Sequence, residues 1–520
     1  MLAGFTGLSV ALFVRARIRI RKGLSSRPLA SPPKPLSRSS AESPSCRPDP
    51  PSRPSPQSPV MATGRARRGL ELARLSTRVG AGYVADAARS SMSSPAQSAE
   101  RRSQRQLTTT AEVVETLGSM KGVFMKLGQM ASYLDAGLDP EVRRTLAGLQ
   151  AGAPPMTAQL AASVIFEELG ADPVDLFAEW DPVPLAAASI GQVHRAVTRE
   201  GQVVAVKVQY PGIAEAIRSD LGNSALLINL VKMAFPALDA PALVNELRAR
   251  VNEELDYGLE ARHQTVFADR FAGHPFIHVP GVVAPLSTPR VLTTELATGA
   301  RYDEVVESWS QKERDLAGET IFRFVFGCLY RFQVFNGDPH PGNYLFGGDG
   351  RVSFLDFGLV KWFSPEDVKI LASMVRSMVT EPDPVRFRIA IEAAGFLRLG
   401  ADLTNQQVSD YFRHYYELVI ERGPSTFSPE YAAKTLRHFF DANDPVIKEA
   451  NLPPRFVILQ RINLGLYAVL AGLGSVCDWR GVADEIWPFV GAPPSTPLGR
   501  AEEAWRSQRG GAEPNPPPGL

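Results

Sequence analysis

The stretch Gly337-Asp338-Pro339-His340-Pro341-Gly342-Asn343 decides how this sequence is interpreted, together with the tripeptide Asp356-Phe357-Gly358 that follows it. Asp338 precedes Asn343 by five positions, and a short β-prone run at Val352 to Leu355 leads into the tripeptide. Two carboxylates and an amide in this order can supply an acid that orients a reacting group and oxygen ligands for a divalent cation. A lone D-F-G carries little information, but its combination with the spaced Asp and Asn makes a chance arrangement improbable.

This spacing is that of the phosphoryl-transfer site of protein kinases, where a catalytic-loop Asp is followed five positions later by an Asn and then by a D-F-G. The reaction needs the phosphate charge neutralised by Mg²⁺ and an acceptor aligned with the γ-phosphate. We therefore expect ATP and Mg²⁺ as cofactors. Asp338 is predicted to orient or deprotonate the acceptor, and Asn343 and Asp356 are predicted to hold the metal ion.

A candidate phosphate-binding lysine, Lys207, ends the run Val204-Ala205-Val206-Lys207 on the second strand of a predicted hairpin. A lysine at the end of a strand is usually a solvated surface charge. Apolar residues on both sides of this one indicate instead that its amine points into a cleft and needs an anionic partner. We predict Glu254 as that partner and catalytic brace, with Glu260 and Glu246 as alternatives.

The loop expected over the phosphates is rich in alanine. It matches the kinase pattern G-x-G-x-x-G-x-V in spacing but carries Ala at the first two Gly positions, which predicts a stiffer loop with less available backbone amides. An adenine pocket is expected where the strand Arg290 to Glu295 enters the linker between two lobes. The residues expected to contact the nucleotide are Ala186, Ala187, Ala188, Ser189, Gly191, Val193, Lys207, Glu295 and Ala297.

The order of predicted elements indicates an α+β, protein-kinase-like fold with a small sheet-bearing lobe followed by a large helical lobe. From Val113 to Leu134, apolar residues recur at steps of three and four, which predicts an amphipathic helix ahead of the sheet. The predicted divisions are a disordered tail (1–60), a helical or flexible linker (61–109), a helical extension (110–182), the small lobe (183–298), the large lobe (299–490) and a disordered tail (491–520).

Charge is divided unevenly along the 520 residues. Residues 1–110 contain 19 Lys and Arg against 5 Asp and Glu, a net charge of +14, which leaves −13 for residues 111–520. Because the basic arm is interspersed with Pro and Ser and has no aromatic stacking pattern, nucleic-acid binding is disfavoured and contact with an anionic membrane surface is favoured.

The N-terminal sequence leaves the location of the protein open. Three widely spaced cysteines support neither a disulfide framework nor a zinc site, which fits a reducing compartment. We expect a cytoplasmic protein that is peripheral to a membrane. Residues 15–60 are rich in Arg, Ser and Pro, and the alternative is a mitochondrial transit peptide; an upstream start-site artefact, with the chain beginning at Met61, is a further alternative.

The sequence resembles the AarF/UbiB atypical kinases, also called the ADCK group, which are linked to ubiquinone biology. The resemblance spans roughly residues 110 to 480 and includes the Ala-rich loop, the D-P-H-P-G-N run and D-F-G. Its further motifs are Lys126-Leu127-Gly128-Gln129 with Ser132, Leu149-Gln150 with Pro154-Pro155, and Glu254-Leu255-Asp256.

The resemblance implies that the K-x-G-Q residues Lys126, Gly128 and Gln129 cover the nucleotide cleft and inhibit protein phosphorylation, with Asp256 as a further regulatory residue. It also implies an ATPase, or a kinase of small or lipid-like molecules, that works at membranes and has a nucleotide and a quinone-like molecule as partners. This chain has Asn336 where family members usually have His, which predicts a looser catalytic loop, and Ala151 where they usually have Asp.

Two other functional classes remain as alternatives. One is an ATP-binding regulator, pseudokinase-like or chaperone-like, with little turnover, which the Ala-rich loop leaves open. The other is a small-molecule phosphotransferase of the aminoglycoside or choline kinase type, whose catalytic loop has a similar G-D-x-H-x-x-N pattern. The K-x-G-Q helix disfavours the second alternative.

Overall fold

The computed structural model describes residues 156–188, 190–215, 218, 253, 255–439, 444–450 and 465–509. The K-x-G-Q residues Lys126, Gly128 and Gln129 lie outside these ranges. The strands are β1 (Phe177–Trp180), β2 (Ala186–Ala187), β3 (Gly191–Thr198), β4 (Val203–Gln209), β5 (Ile277–His278), β6 (Val291–Glu295), β7 (Val334–Asn336), β8 (Tyr344–Phe346), β9 (Val352–Phe354), β10 (Val360–Trp362), β11 (Ser425–Thr426) and β12 (Val476–Cys477).

The helices are α1 (Ala158–Leu169), α2 (Pro173–Leu176), α3 (Tyr257–Arg270), α4 (Tyr302–Ser308), α5 (Gln311–Phe332), α6 (Pro365–Val375), α7 (Pro384–Ala394), α8 (Asn405–Arg413), α9 (Glu417–Ile420), α10 (Pro429–Phe439), α11 (Pro445–Glu449), α12 (Trp479–Ile486) and α13 (Pro497–Gln508). Short 3₁₀ turns occur at Ala284–Leu286, Pro341–Asn343 and His414–Tyr416, and a π-helical turn at Arg376–Thr380 follows α6. Residues 465–473 are also helical.

The small lobe is a five-stranded antiparallel sheet with the order β1-β3-β4-β6 and β2 paired to β3. The predicted hairpin is confirmed as β3 and β4, and its turn uses Gly201 at a φ of 86°, a conformation that glycine adopts without strain. Helix α1 is capped by Thr157 and packs Val164 and Ile165 against one face of the sheet. The other face carries Lys207.

The small lobe therefore begins earlier than the predicted boundary at residue 183. Strand β1 pairs with β3, and Phe177 belongs to the same buried cluster as the sheet valines. The sequence pattern missed this strand because it has only four residues, of which two are exposed.

The large lobe is built around the long helix α5, which opens with a capping box between Ser310 and Glu313. On one side of it, Phe324 stacks on Phe354 of β9 with ring centroids 3.7 Å apart. Two small sheets, β7 with β10 and the three-stranded β5-β9-β8, hold the loops that carry the candidate catalytic residues. The predicted α+β, two-lobed kinase-like fold is confirmed.

The C-terminal helix α13 corrects the prediction that residues 491–520 form a disordered tail. Thr496 caps it, and the buried carboxylate of Glu502 accepts from Arg323 of α5 at 3.0 Å and also pairs with Arg331. Leu498 packs into the hydrophobic core of the large lobe. The flanking Pro and Gly residues led to the prediction of a disordered tail. The residues that stabilise the helix lie more than 160 positions away in the sequence, so no local pattern reveals them.

In the described part of the chain, none of the helices is both long enough and apolar enough to cross a bilayer.

Candidate active site

Lys207 lies on the face of the small sheet opposite to α1, and the structure identifies its partner. Strand β4 directs its ammonium to Glu260 of α3, with both carboxylate oxygens 2.9 Å from Nζ. The Oδ2 atom of Asp356 lies 3.9 Å from the same nitrogen. The preferred candidate Glu254 lies outside the described residues, and Glu260, one of the two alternatives, is the carboxylate that pairs with Lys207. It does so because α3 begins only at Tyr257 and its first turn presents Glu260 inward.

The electrostatic surroundings keep Lys207 protonated. Burial lowers the pKa of its amine, but the negative charges of Glu260 and Asp356 outweigh this, and the pKa is raised well above its usual value. The ring of Tyr257 adds a cation–π contact, with Nζ 4.7 Å from the ring centroid. A charged ammonium that is partly exposed and held at one point suits contact with an anionic group of a ligand.

The catalytic-loop residues form one compact turn. The amide nitrogen of Asn343 donates to the backbone carbonyl of Asp338 at 2.9 Å and to its carboxylate at 3.2 Å. The His340 amide also donates to the Asp338 carbonyl, at 2.8 Å. These hydrogen bonds hold the Asp338 carboxylate against the Asn343 side chain.

The D-F-G segment is anchored at each of its three residues. Gly358 N donates to the Asp356 carboxylate at 2.9 Å. Phe357 is fully buried against Phe267 of α3, with ring centroids 4.8 Å apart, and its carbonyl lies 3.1 Å from Nδ1 of His263. Because a carbonyl oxygen can only accept, His263 donates through Nδ1, and burial lowers the pKa of its ring.

The catalytic loop is braced despite the change from His to Asn at position 336. The Asn336 side chain donates to the carbonyl of Asp356 at 2.8 Å and accepts from the Asp338 amide at 3.4 Å. The expectation of a looser loop therefore does not hold at this residue, since the amide supplies the bracing itself.

The Ala-rich loop forms a tight hairpin. Ala186 pairs with Val193 and Ala187 with Gln192, and the Ala188 amide donates to the Gly191 carbonyl at 2.9 Å. Gly191 is required here because a Cβ atom would collide with the Val208 carbonyl of β4. Ser189 lies outside the described residues. Because the hairpin uses the Ala188 amide, this amide is not free to bind a phosphate.

The residues predicted to line an adenine pocket lie at the end of β6 and just after it. Register places Lys207 opposite Leu292 and Ala205 opposite Thr294, so these side chains share the cleft face with Val193. The Leu296 amide donates to Val203 and the Glu295 amide to Gly281. The Glu295 carboxylate lies 3.4 Å from His278, so Glu295 and Ala297 are at the predicted linker position with the acid turned toward His278.

Sequence reasoning missed Thr294, Tyr257 and His263 as site residues, and it assigned Asp256 a regulatory role. Asp256 is the N-cap of α3, accepting from the Leu259 amide at 3.1 Å. An aspartate placed before a helical stretch is a cap signal that could have fixed the start of α3. Its predicted regulatory role remains a prediction.

The fold and the arrangement of the candidate site residues are protein-kinase-like. Residues 148–384 match the family described as "ABC1 atypical kinase-like domain". These residues make up somewhat less than half of the chain, and their similarity to this family agrees with the resemblance that the sequence motifs indicate.

Two proteins that are similar in sequence are named as atypical kinases. The chain is 34% identical over 307 residues to "Atypical kinase COQ8B, mitochondrial" of Rattus norvegicus, covering 58% of each chain. It is 31% identical over 256 residues to "Atypical kinase COQ8, mitochondrial" of Saccharomyces cerevisiae, covering 49% of this chain and 51% of the relative. The match to these relatives spans little more than half of their length.

A solved structure is similar over a larger share of the chain. It is titled "The complex structure of Rv3197-erythromycin from Mycobacterium tuberculosis" and is 29% identical, with a TM-score of 0.56. The match covers 76% of this chain and 98% of that one.

Proposed function

We propose that this chain is an ATP- and Mg²⁺-dependent atypical kinase or ATPase that acts on a small or lipid-like molecule rather than as an ordinary protein kinase. The observation that carries the proposal is the convergence of Glu260 and Asp356 on Lys207, whose Nζ atom lies 2.9 Å from the first carboxylate and 3.9 Å from the second. The order of the motifs along the chain and the family match support the same assignment.

Each residue has a chemical role in this proposal. Lys207 binds the α- and β-phosphates, and Glu260 keeps its ammonium in place. Asp338 orients or deprotonates the acceptor hydroxyl, and its carboxylate is itself oriented by Asn343. The Ala-rich hairpin closes over the phosphates with fewer free amides than a Gly-rich loop provides.

The donor atoms of Asp356 and Asn343 fit a magnesium ion. Carboxylate and amide oxygens are hard ligands of the kind Mg²⁺ prefers, and Mg²⁺ takes few protein ligands where phosphates supply the others. When bound, the ion neutralises charge on the β- and γ-phosphates.

The acceptor class and location are inferred from the relatives. The resemblance to AarF/UbiB proteins supports a role in ubiquinone or isoprenoid-lipid metabolism. Two of the relatives reported above carry "mitochondrial" in their names, which favours the mitochondrial alternative over the cytoplasmic one. Under this proposal the Arg-rich residues 15–60 are an organelle-targeting segment.

The test is phosphate release from Mg-ATP by the full chain, with and without detergent or isoprenoid-lipid micelles, compared with Asp356→Asn. We expect turnover that lipid stimulates and that falls by about 100-fold or more in the variant, because one metal-binding carboxylate is lost. ATP binding with no phosphate release under any condition would instead identify the regulatory alternative.

A small-molecule phosphotransferase is the second candidate, and the erythromycin complex of the solved relative favours it. Adding erythromycin to the same assay discriminates between the candidates. Stimulation by erythromycin, with a phosphorylated product detected by mass spectrometry and no response to lipid, supports this second function.

A further inference from the structure

We propose that Asn336 is a positioning residue that couples the acceptor-orienting acid Asp338 to the metal-binding acid Asp356. The inference rests on the proposed phosphoryl-transfer function and concerns the same site. It assigns a role to the position at which this chain departs from the usual histidine of its family.

Asn336 lies where two backbone segments meet. It ends β7, opposite Val360 of β10, and the next amide, that of Gly337, donates to the Leu359 carbonyl at 2.7 Å. From this position its side chain donates to the Asp356 carbonyl at 2.8 Å, while its oxygen accepts from the Asp338 amide at 3.4 Å. One side chain therefore contacts the backbone of both acids.

A primary amide is suited to this role because it carries a donor and an acceptor on one planar group. An aspartate of the same size keeps the acceptor but loses the donor, and it places a negative charge against the Asp356 carbonyl. A leucine of similar volume loses both groups and leaves the carbonyl without this partner.

The link to Asp356 acts on its backbone rather than on its carboxylate. The carboxylate has a separate donor, Gly358 N at 2.9 Å. Without Asn336, the carboxylate keeps this local bond while its Cα atom is released, so the acid shifts relative to Asp338 and Asn343. Misplacement of this kind weakens metal binding and the transfer step more than nucleotide binding.

Removing the Asn336 link leaves the two segments joined at another point. The Leu355 amide still donates to the Asn343 carbonyl at 3.0 Å, and β7 still pairs with β10. We therefore expect variants at position 336 to fold, with an effect confined to the relative placement of the acids.

The experiment compares Asn336→Asp, Asn336→Leu and Asn336→His with the parent chain. The control is Asn405→Asp, the same chemical change at the start of α8, remote from the cleft. Two readouts are used: the Mg²⁺ concentration that gives half of the ATP-induced rise in melting temperature, and kcat and KM for phosphate release.

For the Asp and Leu variants we expect the half-effective Mg²⁺ concentration to rise by about 10-fold, the effect of one lost hydrogen bond, with kcat falling more than KM changes. ATP binding in the presence of EDTA should be unchanged. Asn336→His should recover most of the Mg²⁺ response, since its ring N–H can donate to the Asp356 carbonyl. Asn405→Asp should match the parent.

Parent-like Mg²⁺ responses in both the Asp and Leu variants would overturn the inference. So would an equal loss of ATP binding with and without Mg²⁺, which indicates a merely structural role. If either variant fails to fold, Asn336→Ser, whose hydroxyl is too short to reach the Asp356 carbonyl, replaces it with the same criteria. A parent chain with neither an ATP-induced shift nor turnover refutes the proposed function itself, which separates the two failures.

Discussion

At the scale of single residues, the motifs predict the candidate catalytic side chains, but they do not predict which carboxylate pairs with Lys207. Lys207, Asp338, Asn343 and Asp356 follow from motif spacing, because a phosphoryl-transfer site fixes their order. The partner of Lys207 depends on where α3 begins. Glu260 lies three residues after Tyr257, and both contact Lys207 from the same helix face. That spacing was the available signal for choosing Glu260.

The pairing predicts different effects for two neighbouring glutamates. Glu260→Gln removes the carboxylate 2.9 Å from Lys207, a charge-assisted hydrogen bond worth about 2 kcal/mol, or roughly 30-fold in nucleotide affinity. Glu254→Gln is the matched control and should change affinity by less than about 3-fold. Titration of a fluorescent ATP analogue measures both. A larger loss of nucleotide affinity in Glu254→Gln than in Glu260→Gln would indicate instead that Glu254 is the functional partner of Lys207.

At the scale of elements, buried charges attach α13 to the large lobe, and these contacts are not readable from local sequence. Arg323 is 1% exposed and pairs with Glu319, Glu485 and Glu502. Such a cluster stabilises only when every charge is satisfied, so loss of one member is costly. Strands β3 and β4, in contrast, were predictable because their pairing is local and their turn carries a Gly signal.

The buried His274, beside this cluster, is expected to make the folded protein less stable at acid pH. Burial lowers its pKa to about 4, with Glu502 opposing and Arg331, Arg323 and Arg509 adding to the shift. The unfolded chain therefore takes up a proton near pH 6.5 that the folded chain takes up only near pH 4. Stability consequently falls as pH drops through this window, by about 1–3 kcal/mol.

The variant His274→Asn tests whether His274 makes the folded protein less stable as pH falls. In the parent, His274 Nδ1 accepts from the Phe276 amide at 3.4 Å and from the Ile277 amide at 3.0 Å. The side-chain oxygen of an asparagine can accept from the same amides, and an asparagine does not titrate. We expect melting temperatures measured between pH 7 and pH 4.5 to decline less steeply than in the parent. The raised pKa of Glu319, which acts in the opposite direction, is common to both proteins and cancels in the comparison. Parallel profiles would refute the prediction.

At the scale of the whole molecule, the order of motifs predicted the two-lobed architecture, whereas lobe boundaries depended on tertiary pairing. Strand β1 joins the small sheet only through its register with β3, and α13 is fixed only by distant arginines. Charge is also a whole-chain property. The basic arm precedes an acidic remainder, and each site residue that the structure describes lies within residues 186–361.

This separation predicts that nucleotide binding and membrane binding can be removed independently. Residues 1–60 contain 10 Lys and Arg against 2 Asp and Glu, a net charge of +8. Deleting them should leave ATP affinity unchanged but weaken co-sedimentation with phosphatidylserine vesicles, because each basic residue near an anionic surface contributes about 1 kcal/mol. The parent's binding should weaken as salt rises, since screening shortens this attraction. Replacing Arg15, Arg17, Arg19 and Arg21 with Gln in the full-length chain, which keeps its length, should reproduce part of the effect. A large loss of ATP binding on truncation would show instead that the tail belongs to the fold.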